Sequence, residues 1–216
     1  MTNELKIGNK VISTDSDSVF IIAEIGNNHN GSMERAIEMV HLASKMGVDC
    51  VKFQMRNLNA VYRDKSLEKS GDDLSVEYTI DLLKKFELTQ NQHKELKKLC
   101  DSLGVIYLCT PWDTSSLAFL ETMNLFAYKV ASADFTNIHL IDAIIATKKP
   151  VILSTGMTSE DEIQSVIAHL TKQHAPFALL HCNSTYPAPF HSINLRYIER
   201  LRTFHKLIGY SGHERG

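Results

Sequence analysis

Two lysines lie inside short apolar runs of this sequence, where a charged side chain is unusual. Lys52 lies in CVKFQM and Lys129 in AYKVAS. An ammonium group buried without a partner is costly, so we expect each lysine to meet an anion. Hydroxyl side chains end several of the apolar runs, at Thr110, Ser132, Ser154 and Ser211. Ammonium charge combined with neutral donors suits a phosphate beside a carboxylate, so the set predicts a site for a dianionic substrate.

A carboxylate and a histidine extend this candidate site. Glu24 lies in the apolar run VFIIAEI, where burial would favour its protonated form and suit it to proton or hydroxyl handling at a reacting carbon. An ion pair with Lys52 is the structural alternative. His213 is a candidate metal ligand, because neutral imidazole commonly binds mid-transition metals and such a metal can polarise a sugar aldehyde. A solvent-facing loop residue is the alternative for His213, and His29 and His181 are open to the same two interpretations.

Any one of the hydroxyl side chains named above could instead cap the next helix. Other polar side chains also lie at the ends of apolar runs, and ordinary loop packing is the alternative for the one aromatic residue among them. They are Gln54, Asp134, Asn183 and Tyr186. Only their convergence on one face would make them a substrate site.

The elements that must position these residues alternate regularly along the chain. Seven strands are predicted, at 19–25, 50–55, 105–110, 127–132, 151–155, 177–182 and 207–211. Helical periodicity fills segments between them, at 32–46, 90–103, 114–123, 138–147, 160–171 and 195–204. Ser32 and Ser159 are predicted N-caps, and Gly47 and Gly104 predicted C-caps. Repeated strand, helix, strand units with apolar strands predict a parallel sheet covered on both faces.

Within the α/β class, the pattern favours a (β/α)₈ TIM barrel over an open doubly wound sheet. No GxGxxG follows the first strand, and polar residues end nearly every strand instead of gathering at one switch point. A barrel needs an eighth strand, so we expect residues 1–216 to form one domain truncated after strand 7. Alternation around Gly8 predicts a short N-terminal hairpin. The connection from Arg56 to Leu88, which includes Asn57, Asn59 and Tyr62, is long enough to predict a substrate loop.

Composition excludes several classes of protein. A hydrophobic content of 44% in 216 residues suits one domain with a sizeable core. The net charge of −2, with no basic block, argues against nucleic-acid and anionic membrane partners. No run approaches the ~20 apolar residues of a membrane span and the first residues are polar, so a soluble cytoplasmic protein is expected. The four cysteines form no CxxC pair and are expected to be buried, reduced thiols.

Six motifs, in chain order, resemble the N-acetylneuraminate synthase family. They are IIAEIGNNHNG (21–31), DCVKFQ (49–54), YKVASAD (128–134), PVILSTGM (150–157), LLHCNSTYPAP (179–189) and GYSGHERG (209–216). The match covers nearly the whole chain. The resemblance implies a barrel followed by a small antifreeze-like domain, in a domain-swapped homodimer. Neither the last barrel strand nor the antifreeze-like domain is expected within residues 1–216.

The resemblance also implies a reaction, in which phosphoenolpyruvate condenses with an N-acetylated amino sugar and phosphate is released. The acceptor would be N-acetylmannosamine or a diacetamido-trideoxyhexose, and the product a nonulosonic acid of the sialic type. The phosphate would lie among Lys52, Thr110, Lys129, Ser132, Ser154 and Ser211. Lys52 and Lys129 would stabilise negative charge along the reaction path and Glu24 would guide water, while Gln54 and Tyr186 would meet the sugar.

By the same resemblance, a divalent metal would bind His213 and a second histidine beyond residue 216. Mn²⁺ is expected, with Mg²⁺ or Co²⁺ as alternatives. Two positions depart from the family pattern. Asp134 stands where the family often has Glu, and Gly212 where it has Asp before the metal-binding histidine.

Three alternatives stay open from the residues alone. A related phosphoenolpyruvate-dependent 3-deoxy-ulosonate synthase would use a phosphorylated acceptor and need a second basic cluster. A Schiff-base aldolase would use Lys129 or Lys52 as the nucleophile. A non-catalytic barrel would bind a sugar without turnover.

Overall fold

A computed structural model describes residues 3–61 and 74–215. Two parts of the predicted substrate loop lie outside the described residues. They are Tyr62 and the polar turn KSGDD at 69–73. Contacts divide the chain into two compact units. One comprises Met1–Val19 and Phe126–Gly216, which we call the split unit, and the other comprises Phe20–Leu125, which we call the continuous unit.

The described strands follow the predicted alternation. They are β1 (Glu4–Ile7), β2 (Lys10–Ser13), β3 (Ile22–Gly26), β4 (Cys50–Met55), β5 (Ile106–Pro111), β6 (Tyr128–Val130), β7 (Val151–Ser154), β8 (Phe177–Cys182) and β9 (Ile208–Ser211). The described helices are α1 (Met33–Lys45), α2 (Leu58–Val61), α3 (Leu74–Phe86), α4 (Gln90–Leu103), α5 (Thr114–Glu121), α6 (Ile138–Ala146), α7 (Glu160–Lys172) and α8 (Tyr197–Arg202). The helix α3 lies inside the segment predicted to be a loop, so that segment is partly helical.

The continuous unit holds a parallel sheet in the order β3-β4-β5. All six residues of β5 are buried, as expected for a strand covered on both faces. On α1, Ala36 and Val40 are fully buried, one turn apart on the same side of the helix. This apolar packing fixes the strands whose polar ends carry the candidate site.

The split unit holds a parallel sheet in the order β6-β7-β8-β9, and β1 pairs with β2 as an antiparallel hairpin. In both parallel sheets each strand pairs with its neighbour in sequence. At least one helix lies between the two strands of every one of these parallel pairs, as βαβ units require. The α/β class and the parallel strands are therefore confirmed.

Several predicted boundaries are confirmed and others are corrected. β4 and β8 match the predicted ranges, but β3 begins at Ile22 instead of Val19, whose side chain is 77% exposed. Ser32 and Ser159 do accept hydrogen bonds as N-caps, and Gly104 ends α4 in the left-handed conformation. At the end of α1 the cap is Met46, and Gly47 follows it.

Two further expectations can be compared with the described residues. All four cysteines are free and buried, as predicted: Cys50, Cys100, Cys109 and Cys182. Among the helices described, none is both long and apolar enough to cross a membrane.

Candidate active site

The first cluster of the candidate site is centred on Lys52, in the middle of β4. Lys52 is the register partner of Glu24 on β3, and residues in register on parallel strands present their side chains to the same face. The buried ammonium group of Lys52 forms an ion pair with the Glu24 carboxylate and donates a 3.3 Å hydrogen bond to Thr110 Oγ1. The structural alternative considered for Glu24 is therefore present.

The expectation that Glu24 is buried is wrong. Its side chain is 45% exposed, while that of Lys52 is 10% exposed. The β3–β4 register shifts between Glu24 and Gly26, which is a bulge at the end of the strand. Gly26 has a φ of +50°, and a Cβ there would lie 2.8 Å from Glu24 Oε1. The bulge therefore brings the glycine backbone against the carboxylate and leaves the carboxylate accessible to solvent.

Gln54, two residues after Lys52 on the same face of β4, is held by two donors. Arg56 Nη2 donates to Gln54 Oε1 at 2.7 Å, and Trp112 Nε1 donates to the same oxygen at 3.3 Å. The Arg56 guanidinium lies 4.6 Å from the centroid of the Trp112 ring. Sequence analysis missed both Arg56 and Trp112, because neither stands out by type or by motif.

The second lysine cluster lies in the split unit. Lys129 on β6 is buried and donates to Ser154 Oγ on β7 at 2.6 Å and to the Val130 carbonyl at 2.8 Å. Lys129 is in register with Ile152, so Ser154, two residues further along β7, faces the same side. Lys129 and Ser154, both predicted to meet the phosphate, therefore lie next to each other, and their contact with a substrate stays a prediction.

A close approach between Gly156 and two serines follows β7. The Gly156 N–H donates to Ser132 Oγ at 3.1 Å. A Cβ on Gly156 would lie 2.8 Å from Ser132 Oγ and would overlap Ser184 Oγ. Ser184 Oγ is buried and has no hydrogen-bond partner in the part of the chain that the structure describes. Sequence analysis missed Ser184, although it lies within a motif quoted above.

His213 follows β9 and is oriented by two contacts. Its Nδ1 lies 2.6 Å from the Asn183 carbonyl oxygen, and because a carbonyl only accepts, Nδ1 carries the proton. Nε2 of the neutral ring then accepts from Tyr186 Oη at 2.6 Å, and the two rings stack 3.8 Å apart. A histidine whose Nδ1–H is held by a carbonyl presents Nε2 as metal-binding histidines commonly do.

A complete metal site is not present in the described part of the chain. Among residues 3–61 and 74–215, no group of three or more His, Cys, Asp or Glu side chains could hold a metal ion. His181, the other candidate after β8, is buried, and its Nε2 lies 2.6 Å from the Ile193 carbonyl. The structural interpretation of His181 therefore holds, and His213 fits the role of one ligand.

The remaining predicted site residues have these positions. The Asn183 amide group donates to the Ser192 carbonyl at 2.8 Å and accepts from the Thr185 N–H at 2.9 Å. Asp134 ends a short 3-10 turn and accepts from the Asn137 amide at 3.0 Å. Ser211 ends β9, in register with Cys182. Substrate contacts by these side chains stay predictions.

Buried histidines lie behind the first cluster, in the continuous unit. His93 on α4 lies 2.6 Å, through Nδ1, from Tyr107 Oη, and Tyr107 stacks on Phe53 of β4 at 5.3 Å. Burial lowers the pKa of His93 from 6.5 to about 4, with a smaller effect from His29. Burial also lowers the pKa of His29, opposed by a hydrogen bond to the Gly26 backbone. His29 therefore belongs to the packing around the bulge.

Comparison with known protein families decides the affiliation of the chain. Residues 39–216 match the model of the NeuB family. The chain belongs to the NeuB family. The resemblance inferred from the six motifs is thereby confirmed.

The NeuB-family relatives include synthases of several nonulosonic acids. The chain is 35% identical over 203 residues to N,N'-diacetyllegionaminic acid synthase of Campylobacter jejuni, covering 91% of this chain and 61% of the relative. It is 33% identical over 202 residues to N-acetylneuraminate-9-phosphate synthase of Homo sapiens, covering 91% of this chain and 56% of the relative. The chain thus spans about 60% of the length of such curated relatives.

A solved structure agrees with this affiliation. N-acetylneuraminic acid (sialic acid) synthetase of Leptospira borgpetersenii, in complex with citrate, superposes with a TM-score of 0.87 at 32% identity. The superposition covers 99% of this chain and 71% of that protein. By name, these three relatives are synthases of N,N'-diacetyllegionaminic acid, of N-acetylneuraminate 9-phosphate and of N-acetylneuraminic acid.

Proposed function

We propose that the protein condenses phosphoenolpyruvate with an N-acetylated amino sugar and releases phosphate, giving a sialic-type nonulosonic acid. The observation that carries the proposal is that each of two buried lysines donates to a hydroxyl on the neighbouring parallel strand. Lys52 donates to Thr110 and Lys129 to Ser154. An ammonium group only donates hydrogen bonds, so each hydroxyl oxygen accepts one from its lysine. The proton of each hydroxyl is then available for a hydrogen bond to an anionic ligand. Each pair therefore offers charge and a neutral donor together, as phosphate and carboxylate oxygens require.

The reaction requires one new carbon–carbon bond and one water. C3 of phosphoenolpyruvate bonds to the aldehyde carbon of the sugar, water adds at C2, and phosphate leaves from C2. Lys52 and Lys129 provide preorganised positive charge for the phosphate and carboxylate groups. Glu24, half-exposed beside Lys52, is suited to accept the proton of the incoming water.

We further propose that His213 is one ligand of a divalent cation, Mn²⁺ in preference to Mg²⁺ or Co²⁺. The fixed Nδ1–H of His213 supports this role, since it leaves Nε2 as the binding atom. When bound, such a cation supplies Lewis-acid polarisation of the sugar aldehyde. We assign Tyr186 to the sugar, because its hydroxyl contacts Nε2 and the residue is 75% exposed.

For the architecture, we propose that the seven parallel strands are consecutive strands of a (β/α)₈ barrel. The sequential strand order in both sheets and the likeness to the Leptospira structure support this proposal. The predicted antifreeze-like domain, the homodimer and the cytoplasmic location stay predictions.

The experiment is a phosphate-release assay on the full-length natural protein. Phosphoenolpyruvate is supplied with N-acetylmannosamine, with its 6-phosphate, and with diacetamido-trideoxyhexoses in separate reactions. We expect release with one of the unphosphorylated amino sugars, and mass spectrometry to show the condensed acid. Release with arabinose 5-phosphate or erythrose 4-phosphate instead would establish the ulosonate-synthase alternative. A lysine adduct trapped by borohydride in the presence of substrate would establish the aldolase.

A further inference from the structure

The side-chain amide of Gln54 has one possible orientation in this structure. Its Oε1 lies 2.7 Å from Arg56 Nη2 and 3.3 Å from Trp112 Nε1. Guanidinium and indole groups donate hydrogen bonds and accept none, so the atom that both approach must be the carbonyl oxygen. The usual ambiguity between the two ends of a glutamine amide is thereby removed.

The two donors also stabilise each other. The guanidinium of Arg56 lies over the Trp112 ring, 4.6 Å from its centroid, in a cation–π contact. The backbone N–H of Trp112 donates to the Met55 carbonyl at 2.9 Å, which extends the β4–β5 pairing beyond the end of β5. This pairing places Trp112 beside the residues that follow Gln54. We call Arg56 and Trp112 together the amide clamp.

With its oxygen held by the clamp, Gln54 directs its NH₂ group towards Gly26. A Cβ on Gly26 would lie 3.3 Å from Gln54 Nε2 and 2.8 Å from Glu24 Oε1. A hydrogen-bond donor and a carboxylate oxygen therefore both lie beside the same glycine. A ligand that fits both must accept from the amide and donate to the carboxylate. An acetamido group, through its C=O and N–H, or a sugar hydroxyl meets that requirement.

We propose that Arg56 and Trp112 are positioning residues, which fix Gln54 as a hydrogen-bond donor to an oxygen of the acceptor sugar. The inference rests on the proposed function for the identity of the sugar. It predicts that the clamp acts on the acceptor through Gln54 and does not contact the acceptor itself. The clamp therefore sets the preference for an acceptor with an oxygen at this position.

The test is a double-mutant cycle in the full-length protein. Gln54→Ala and Arg56→Ala should each raise KM for the acceptor by about three- to tenfold, the worth of one hydrogen bond, with KM for phosphoenolpyruvate little changed. The double variant should match Gln54→Ala alone, because Arg56 has nothing left to orient. Additive losses in the double variant would overturn the inference, since Arg56 would then act independently of Gln54.

One isosteric variant, Gln54→Glu, and one aromatic replacement, Trp112→Phe, separate orientation from a general structural role. Gln54→Glu keeps an oxygen for the clamp but replaces the NH₂ group by a second carboxylate oxygen beside Glu24. It should therefore weaken binding of the acceptor sugar at least as much as Gln54→Ala. Trp112→Phe keeps the ring but removes the N–H, and should give a smaller effect than Arg56→Ala. Unchanged acceptor KM in Gln54→Glu would overturn the donor assignment.

Lys84→Ala is the matched control for loss of a cation. The charges of Arg56 and Lys84 both act on the Glu87 carboxyl, whose pKa burial raises, but Lys84 pairs with Asp81 on α3. Lys84→Ala should leave both KM values unchanged, and a rise in acceptor KM equal to that of Arg56→Ala would count against the clamp. If Arg56→Ala does not fold, Arg56→Lys serves in its place, because it keeps the charge and loses the planar contact with Trp112.

A fluorescence measurement keeps this inference separate from the proposed function. Trp112 is the one tryptophan of residues 1–216, so the difference in emission between the wild type and Trp112→Phe reports the clamp. Arg56→Ala should change that emission without any ligand, and unchanged emission would contradict the clamp. If the wild type releases no phosphate, the proposed function fails. Titration of Trp112 emission with the amino sugars then measures sugar binding in the same Gln54 and Arg56 variants. Equal affinities in wild type and Gln54→Glu would overturn the inference.

Discussion

Lys129 donates a 2.6 Å hydrogen bond to Ser154 Oγ across the β6–β7 pair. The Val130 carbonyl accepts a second hydrogen bond from the same ammonium group at 2.8 Å. The ammonium group is therefore held in place before any ligand arrives, and little side-chain entropy is lost when an anion binds. The predictions below begin with this pair.

Replacing Lys129 by alanine should weaken phosphoenolpyruvate binding by about 1.5–3 kcal/mol, the range for a hydrogen bond to a charged group. Binding of the acceptor sugar should change little, because the lost charge serves a dianion. Calorimetric titration of each ligand measures the two effects. Lys172→Ala, at the exposed end of α7, is the control and should change neither affinity. Equal losses for both ligands would contradict the role given to Lys129.

Gly156→Ala should destabilise the fold by about 1–3 kcal/mol, because the new methyl group would overlap neighbouring atoms. The atoms concerned are the hydroxyl oxygens of Ser132 and Ser184. Ser184→Ala alone should be nearly neutral, since its hydroxyl is buried without a partner in the described structure. Urea denaturation of the two single variants and the double variant measures the coupling. If Ser184→Ala recovers none of the stability lost in Gly156→Ala, the overlap is not the cause.

The buried His93 should make the folded state less stable in acid. Its pKa is about 4 in the fold and about 6.5 when exposed, so the unfolded chain binds a proton first as the pH falls. The contribution of this pKa difference to the free energy of unfolding is complete above pH 6.5 and is lost towards pH 4. The change is about 3 kcal/mol.

His93→Asn tests this assignment, because asparagine keeps a partner for Tyr107 Oη and does not titrate. The free energy of unfolding should depend less on pH in the variant between pH 6.5 and 4. His29 remains in both proteins, so its own burial contributes to both profiles. Parallel pH profiles would show that His93 is protonated in the folded state as readily as in the unfolded one.

The capping box at the start of α7 gives a prediction about stability alone. Ser159 Oγ accepts from the Glu162 N–H, and the Glu162 carboxylate accepts from the Ser159 N–H at 2.7 Å. Ser159→Ala should lower the free energy of unfolding by about 1 kcal/mol. Ser165→Ala, the same substitution at an exposed position within α7, should raise it slightly through helix propensity. Thermal melts of the pair should therefore shift in opposite directions.

A chelator should abolish phosphate release by the full-length protein, and Mn²⁺ should restore it best, as expected for a site that includes histidine. His213→Ala should reduce the increase in melting temperature that Mn²⁺ produces in the wild type, a readout that does not depend on turnover. Full activity in metal-free buffer would remove His213 from the proposed mechanism.

The order of the strands could be predicted from the sequence because buried parallel strands are short, apolar and bounded by turn residues. β4 and β8 show this best, since both were predicted to the residue. The helix Leu74–Phe86 was missed because the whole connection from Arg56 to Leu88 was interpreted as a substrate loop, although its apolar residues recur at helical spacing. Burial of Glu24 was predicted wrongly because its apolar neighbours describe the strand, whereas the bulge at Gly26 decides the exposure of its end.

The candidate site could be predicted only as far as residue type and strand position allow. Residue type and strand position together identify charged and hydroxyl side chains at strand ends, and they identified Lys52 and Lys129. Neither describes side chains that meet across strands, and the contacts of Arg56 and Trp112 with Gln54 depend on such a meeting. Ser184 was missed because a serine in a loop is ordinary until its burial is known.

The N-terminal hairpin has a consequence for biosynthesis. It belongs to the split unit, and Lys206 Nζ donates to Asn3 Oδ1 at 3.0 Å across 203 residues of chain. At about 5–20 residues per second, a ribosome needs roughly 10–40 s to synthesise the chain between these two residues. The continuous unit can complete its own contacts during that interval. Leu5 and Ile7 of the hairpin, which are buried in the folded protein, therefore stay without their final packing on the nascent chain until the residues around Lys206 are synthesised.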